Sequence, residues 1–139
     1  MRRTSGLVEL VLVVEDVRRA TTFYVELVGL TPEREPGDDW AWLWTGEPGD
    51  VTAGRLALTR GPLMFQECGP RGDVPSPFGP VHVAFRVMPE RIDESVAVLK
   101  RAGVDVHGPV DLAWMGARSW YFHDPDGNLL EYWVPTGSG

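Results

Sequence analysis

Trp120-Tyr121-Phe122-His123-Asp124-Pro125-Asp126-Gly127-Asn128-Leu129-Leu130-Glu131-Tyr132-Trp133 is two apolar runs joined by a turn, and the second run contains a carboxylate. Pro125 suits a turn position of fixed φ, and Gly127 one of positive φ, so the flanking runs are expected to be adjacent antiparallel strands. Glu131 then lies mid-strand. Alternation puts it on the face opposite Leu130 and Tyr132, together with Leu129 and Trp133. Burying a carboxylate there without compensation costs several kcal/mol. It needs a cation, a set of hydrogen bonds or an open cleft.

Working outward, the same order of elements occurs twice. Leu7 to Val14 is an apolar, β-branched run, and Asp16 behind it is a good helix N-cap. Val17, Ala20, Phe23, Tyr24, Leu27 and Val28 follow at helical spacing, and Gly29 ends the helix. Strand-like pieces come next, around Trp40 to Thr45, Arg55 to Thr59 and Leu63 to Cys68. The second half repeats this, with a strand at Val81 to Val87 and Pro89-Glu90 leading into a helix that carries Ile92, Val96, Leu99 and Ala102 on one face. Gly103 ends that helix, and strands are expected near Val104 to Val106, Ala117 to His123 and Leu129 to Val134. The fold class read from this pattern is α+β, two βαβββ modules. The expected module limits are 6–70 and 80–135, with 71–79 as linker and 136–139 as tail, all in a single domain.

The repeat aligns four polar residues. Laying Glu9 on His82 brings Gly29 and Gly103 to within one residue of each other, and laying Pro70 on Pro135 pairs Gln66 with Glu131. Two carboxylates, an imidazole and an amide oxygen form a hard donor set that suits one divalent ion: Ni, Mn, Co, Zn, Fe or Mg. Glu9, Gln66, His82 and Glu131 are therefore the candidate metal ligands, with Glu67 and Cys68 as rivals to Gln66. Trp42, Trp114 and Trp133 are candidates to line a substrate pocket beside them. Arg86 and Arg118 are candidates to bind a substrate carboxylate or phosphate.

Composition limits the remaining possibilities. The 139 residues carry a formal net charge of −7, and 12 of the 13 basic residues are Arg scattered along the chain, which disfavours a polyanionic nucleic acid partner. No apolar run approaches the roughly 20 residues that span a bilayer. The Leu7–Val14 run is short, contains Glu9 and lacks a cleavage signature, so no export signal is read and a cytoplasmic location is expected. The sole cysteine, Cys68, excludes an intrachain disulfide.

The opening Val8 to Asp16, Phe23-Tyr24, Leu27-Val28-Gly29-Leu30, Val81-His82-Val83-Ala84-Phe85 and Phe122 to Glu131 together resemble the vicinal oxygen chelate superfamily. That superfamily includes glyoxalase I, methylmalonyl-CoA epimerase, extradiol dioxygenases and the bleomycin and fosfomycin resistance proteins. The resemblance runs from about residue 6 to 135, and Asp-Pro-Asp-Gly-Asn-x-x-Glu is its most specific part. It implies that the two modules form a half-open, mostly antiparallel barrel, in a homodimer, with ligands on the first and last strand of each module. His82 and Glu131 match ligand positions, and Gln66 falls where Glu, Gln or His occurs. Glu9 departs from the pattern, since many members have His there. The implied activity is proton transfer of lyase, isomerase or epimerase type on a small oxygenated substrate, with Glu131 and Glu9 as candidate bases. The alternative is a metal-free, bleomycin-resistance-type protein that sequesters a small aromatic or cationic ligand.

Overall fold

A computed structural model of the chain describes residues 3, 6–50, 52–61 and 81–137. The chain divides into two compact units, Met1–Gly79 and Pro80–Gly139. Each contains one open, mixed four-stranded sheet with a helix on one face, and the class is α+β.

In the first unit, β1 (Glu9–Val13) leads to Asp16, whose side chain accepts from the backbone N–H of Arg19 at 3.0 Å and caps α1 (Val17–Thr22). The helix widens into a π-helical turn, Phe23–Val28, and stops at Gly29 with φ +93°, a left-handed cap. Then come β2 (Thr31–Pro32), β3 (Trp40–Trp44) and β4 (Arg55–Thr59). The sheet order is β1-β4-β3-β2, with β1 and β4 parallel. Leu12, Leu43, Leu56 and Leu58 are fully buried beneath Val17, Ala20 and Tyr24.

The second unit has the same topology. The β5 strand (His82–Arg86) is followed by a 3₁₀ turn Pro89–Arg91 and α2 (Ile92–Arg101). After these come β6 (His107–Leu112), a 3₁₀ turn Ala113–Met115, β7 (Ala117–His123) and β8 (Leu129–Pro135). The order is β5-β8-β7-β6, with β5 and β8 parallel and the other pairs antiparallel. Its core lies between the sheet and α2, where Phe85, Ile92, Val96, Leu99, Phe122, Leu130 and Tyr132 are buried. Phe122 and Tyr132 meet at 4.8 Å between ring centroids.

The turn at Asp124 is built as its residues demand. Asp124 is 5% exposed; its Oδ1 accepts from the N–H groups of Asp126 and Asn128, both at 2.9 Å, and its Oδ2 accepts from the Asn128 side chain at 2.8 Å. Asn128 Oδ1 in turn accepts from Val81 N–H, which ties the turn to the start of β5.

One expected strand is corrected and one unexpected strand is found. Val104–Val106 is not a strand; β6 begins at His107 and runs through Gly108 and Pro109. The short β2 at Thr31–Pro32 was not anticipated. Both are edge strands, where one set of backbone groups needs no partner and proline is tolerated. The expected strand Leu63–Cys68 lies outside the described residues, and with it Gln66, Glu67 and Cys68. Because β4 is the strand that pairs with β1, register gives the first-unit counterpart of Glu131. Glu9 pairs Arg55 as His82 pairs Leu129, so Ala57 occupies the place that corresponds to Glu131.

Candidate metal and substrate site

Register decides which side chains share the face of Glu131. Tyr121 on β7 and Ala84 on β5 stand directly opposite it, one on each side. The next row along the strands is Arg86, Trp133 and Ser119, and the row before is His82, Leu129 and His123. This face is turned away from the residues that pack under α2.

Within it, Glu131 is the most deeply set charged group, with its side chain 7% exposed. The protein answers that burial with two partners. His82 Nε2 lies 3.0 Å from Oε1, and the fully buried Ser119 donates its hydroxyl to Oε2 at 2.6 Å. The imidazole is half exposed, at 50%. The Tyr121 ring stands 6.3 Å from the His82 ring, on the far side of β8. Among the described residues, no group of three or more His, Cys, Asp or Glu side chains stands together. The second unit by itself thus presents a two-donor imidazole–carboxylate edge, solvent-facing at the histidine and anchored at the acid. His107 and His123 are exposed on neighbouring strands.

The other sequence candidates separate by face. Arg118 alternates with Ser119, so it lies on the helix side, where it is bound to Asp111 at 2.7 Å. There it borders an open groove of about 720 Å³ shared with Ile92, Trp120 and Val134. Arg86 lies on the Glu131 face, with its guanidinium 5.5 Å from the centroid of Trp133. Trp114 protrudes from the Ala113–Met115 turn, 82% exposed. Only Arg86 and Trp133 of the substrate candidates in this unit share a surface with His82 and Glu131.

In the first unit, Glu9 is exposed and Trp42 Nε1 donates to its Oε1 at 2.9 Å. Trp40, Trp42 and Trp44 share one face of β3, as their alternation implies. The Trp42 ring is stacked on Trp40 at 5.4 Å, and the Arg34 guanidinium lies over Trp42 at the same distance. Arg55 lies over Trp44 and holds Glu33 with paired 3.0 Å contacts. Trp42 is therefore engaged by this unit's own side chains. Ser119 and Tyr121, which complete the Glu131 cluster, were not singled out from sequence.

The chain has known relatives. Over 132 residues the chain is 28% identical to the fosfomycin resistance protein FosX of Listeria monocytogenes, a match that covers 95% of this chain and 91% of that protein. Among solved structures it is similar to an integron cassette protein from the mobile metagenome of the Halifax Harbour sewage outfall, at 28% identity and a TM-score of 0.69, with 94% of this chain and 99% of that one covered. It is also similar to TnmS3, an antibiotic binding protein from Streptomyces sp. CB03234, at 27% identity and a TM-score of 0.68, with 97% and 99% covered. The profile of the Glyoxalase/Bleomycin resistance protein/Dioxygenase superfamily matches residues 6–132, which span both sheets and the His82–Glu131 pair. The chain belongs to that superfamily.

Proposed function

We propose that the protein is a divalent-metal-dependent enzyme that carries out proton transfer, of lyase or isomerase type, on a small oxygenated metabolite. The observation that supports this reading is the buried carboxylate of Glu131, anchored at Oε2 by Ser119 and facing the His82 imidazole with Oε1 at 3.0 Å. That separation suits a hydrogen bond, and it equally suits two adjacent ligands each about 2.1 Å from one ion. His82 and Glu131 would hold the ion, and a bound ion supplies Lewis acidity toward a substrate oxygen. Ser119 keeps Oε2 occupied, so Glu131 offers a single oxygen in a fixed direction. As the candidate base of this unit, Glu131 would hold a substrate proton at Oε1 when that oxygen is not ligating the ion, with Ser119 still fixing Oε2. From the first module, Glu9 stands as a ligand and a second base on the resemblance alone; Gln66, the other ligand the resemblance implies, lies outside the described residues, and Ala57 holds the register counterpart of Glu131. A homodimer belongs to the same proposal.

The test is elemental analysis of protein purified without added metal, then calorimetric titration of wild type and His82→Ala with Ni²⁺, Mn²⁺ and Zn²⁺. Stoichiometric binding that disappears in the variant is expected. Wild type that binds none of the three ions ends the metal-dependent reading. Because one relative is named for fosfomycin resistance, fosfomycin is among the first compounds to assay.

A second reading, metal-free sequestration of a small aromatic or cationic ligand, draws on the three indoles on one face of β3 and the likeness to an antibiotic binding protein. Its signature is quenching of tryptophan fluorescence by ligand in protein that binds no metal, weakened in Trp42→Leu.

A further inference from the structure

We infer that Arg86, seated on Trp133, is an anion-binding subsite, and that the molecule taken by this face is a small organic oxyanion. This deepens the reading above and rests on it for the second anchor point, the His82–Glu131 edge. Three features of the β5–β8 face point to it.

First, Arg86 is exposed, and no carboxylate or carbonyl partner holds its guanidinium among the described residues. In a chain of net charge −7, a cation left free on the face that carries the buried acid is distinctive. Arg118, the other arginine suited to this role, is committed to Asp111 on the opposite face.

Second, the 5.5 Å approach of the guanidinium to the Trp133 ring is a cation–π contact. It restrains the long side chain while leaving the N–H fork available to an oxyanion. Much of the rotamer entropy that binding would otherwise cost is thereby already lost. In addition, Trp133 Nε1 is buried and has no hydrogen-bond partner among the described residues, a donor short of an acceptor in the same row.

Third, the surface between the two anchor points is open. Ala84 separates His82 from Arg86 on β5, stands beside Glu131 and is itself exposed. Rows on one face of a strand are roughly 7 Å apart, which puts Arg86 one row from Glu131 and two from His82, so a molecule with an anionic group on Arg86 and an oxygen at Glu131 Oε1 is a small one. The subsite thus selects a short oxyanion, either carboxylate or phosphoryl.

The probes are inorganic phosphate and succinate, titrated by calorimetry and by NMR of the arginine Nε–Hε signals, into the full chain with and without Ni²⁺. The variants are Arg86→Met, Arg86→Lys and, as a control on the other face, Arg118→Met. Saturable binding is expected in wild type and Arg118→Met, with the Arg86 signal shifting on titration. Affinity should fall about tenfold or more in Arg86→Met, the loss expected for a charge-assisted bond, and less in Arg86→Lys. Which probe binds more tightly identifies the oxyanion. Absence of saturable binding by either probe, or equal affinity in wild type and Arg86→Met, overturns the subsite. Ni²⁺ titration of wild type reads the metal proposal separately: an intact metal site with no anion binding defeats only the inference, whereas anion binding without any metal site defeats only the enzyme reading.

Discussion

Removing the hydroxyl of Ser119 would leave one oxygen of a buried carboxylate without its donor, a loss that costs about 1–3 kcal/mol. Ser119→Ala is accordingly expected to lower unfolding free energy by that amount in urea titrations, and to weaken Ni²⁺ binding about tenfold or more, as loss of a ligand's supporting hydrogen bond does. Ser119→Thr retains a hydroxyl and should recover most of both. Glu131 and His82 drew attention in the sequence as members of a set of polar residues interrupting apolar strands, and the structure brings these two within 3.0 Å of each other. Ser119 drew none, since a serine in a strand needs no special partner. The two arginines could not be ranked for a related reason: which face Arg118 takes depends on the β7–β8 register. That register is set by hydrogen bonds within the Asp124–Asn128 turn rather than by alternation alone. Freedom in choosing the repeat offset likewise paired Gln66 with Glu131, whereas strand pairing gives Ala57.

At the scale of elements, the turn and the edge strand fix the site. Asp124→Ala removes the acceptor of three hydrogen bonds in a buried turn and is expected to cost about 2–4 kcal/mol. Asp124→Asn, which keeps one acceptor oxygen, should cost less in the same denaturation experiment. Gly108 lets β6 lie against β7: with φ +147°, a Cβ there would come 2.8 Å from the Ser119 carbonyl oxygen. Gly108→Ala should therefore destabilise by about 1–3 kcal/mol through strain, and shift the Tyr121 and His82 resonances in NMR spectra, because the backbone that must give way carries Ser119. Both helices and the inner strands could be read from periodicity and caps, since buried faces impose a regular pattern. The edge strands β2 and β6 could not, because both contain proline and neither shows the apolar pattern of a strand packed under a helix.

For the molecule as a whole, alkaline pH is a probe of packing in the second unit. Burial pushes the Tyr132 hydroxyl up to about 12 from an ordinary value of 10.0. The folded chain therefore keeps a proton that the unfolded chain has released, and stability present below pH 10 is lost as pH rises from 10 toward 12. Denaturant midpoints measured across that range should fall in wild type and fall less in Tyr132→Phe. The internal duplication, legible from two helices ending at similarly placed glycines, shows in the structure as one strand order used twice.

That order has a consequence for synthesis on the ribosome. Because β5 lies beside β8, His82 waits for a residue made 49 positions later. Until then the nascent β5 edge has no neighbour on that side and is open to wrong pairing. A translation-arrest force measurement should therefore show the second unit gaining tension in one late step, after β8 clears the exit tunnel, rather than gradually as its helix emerges.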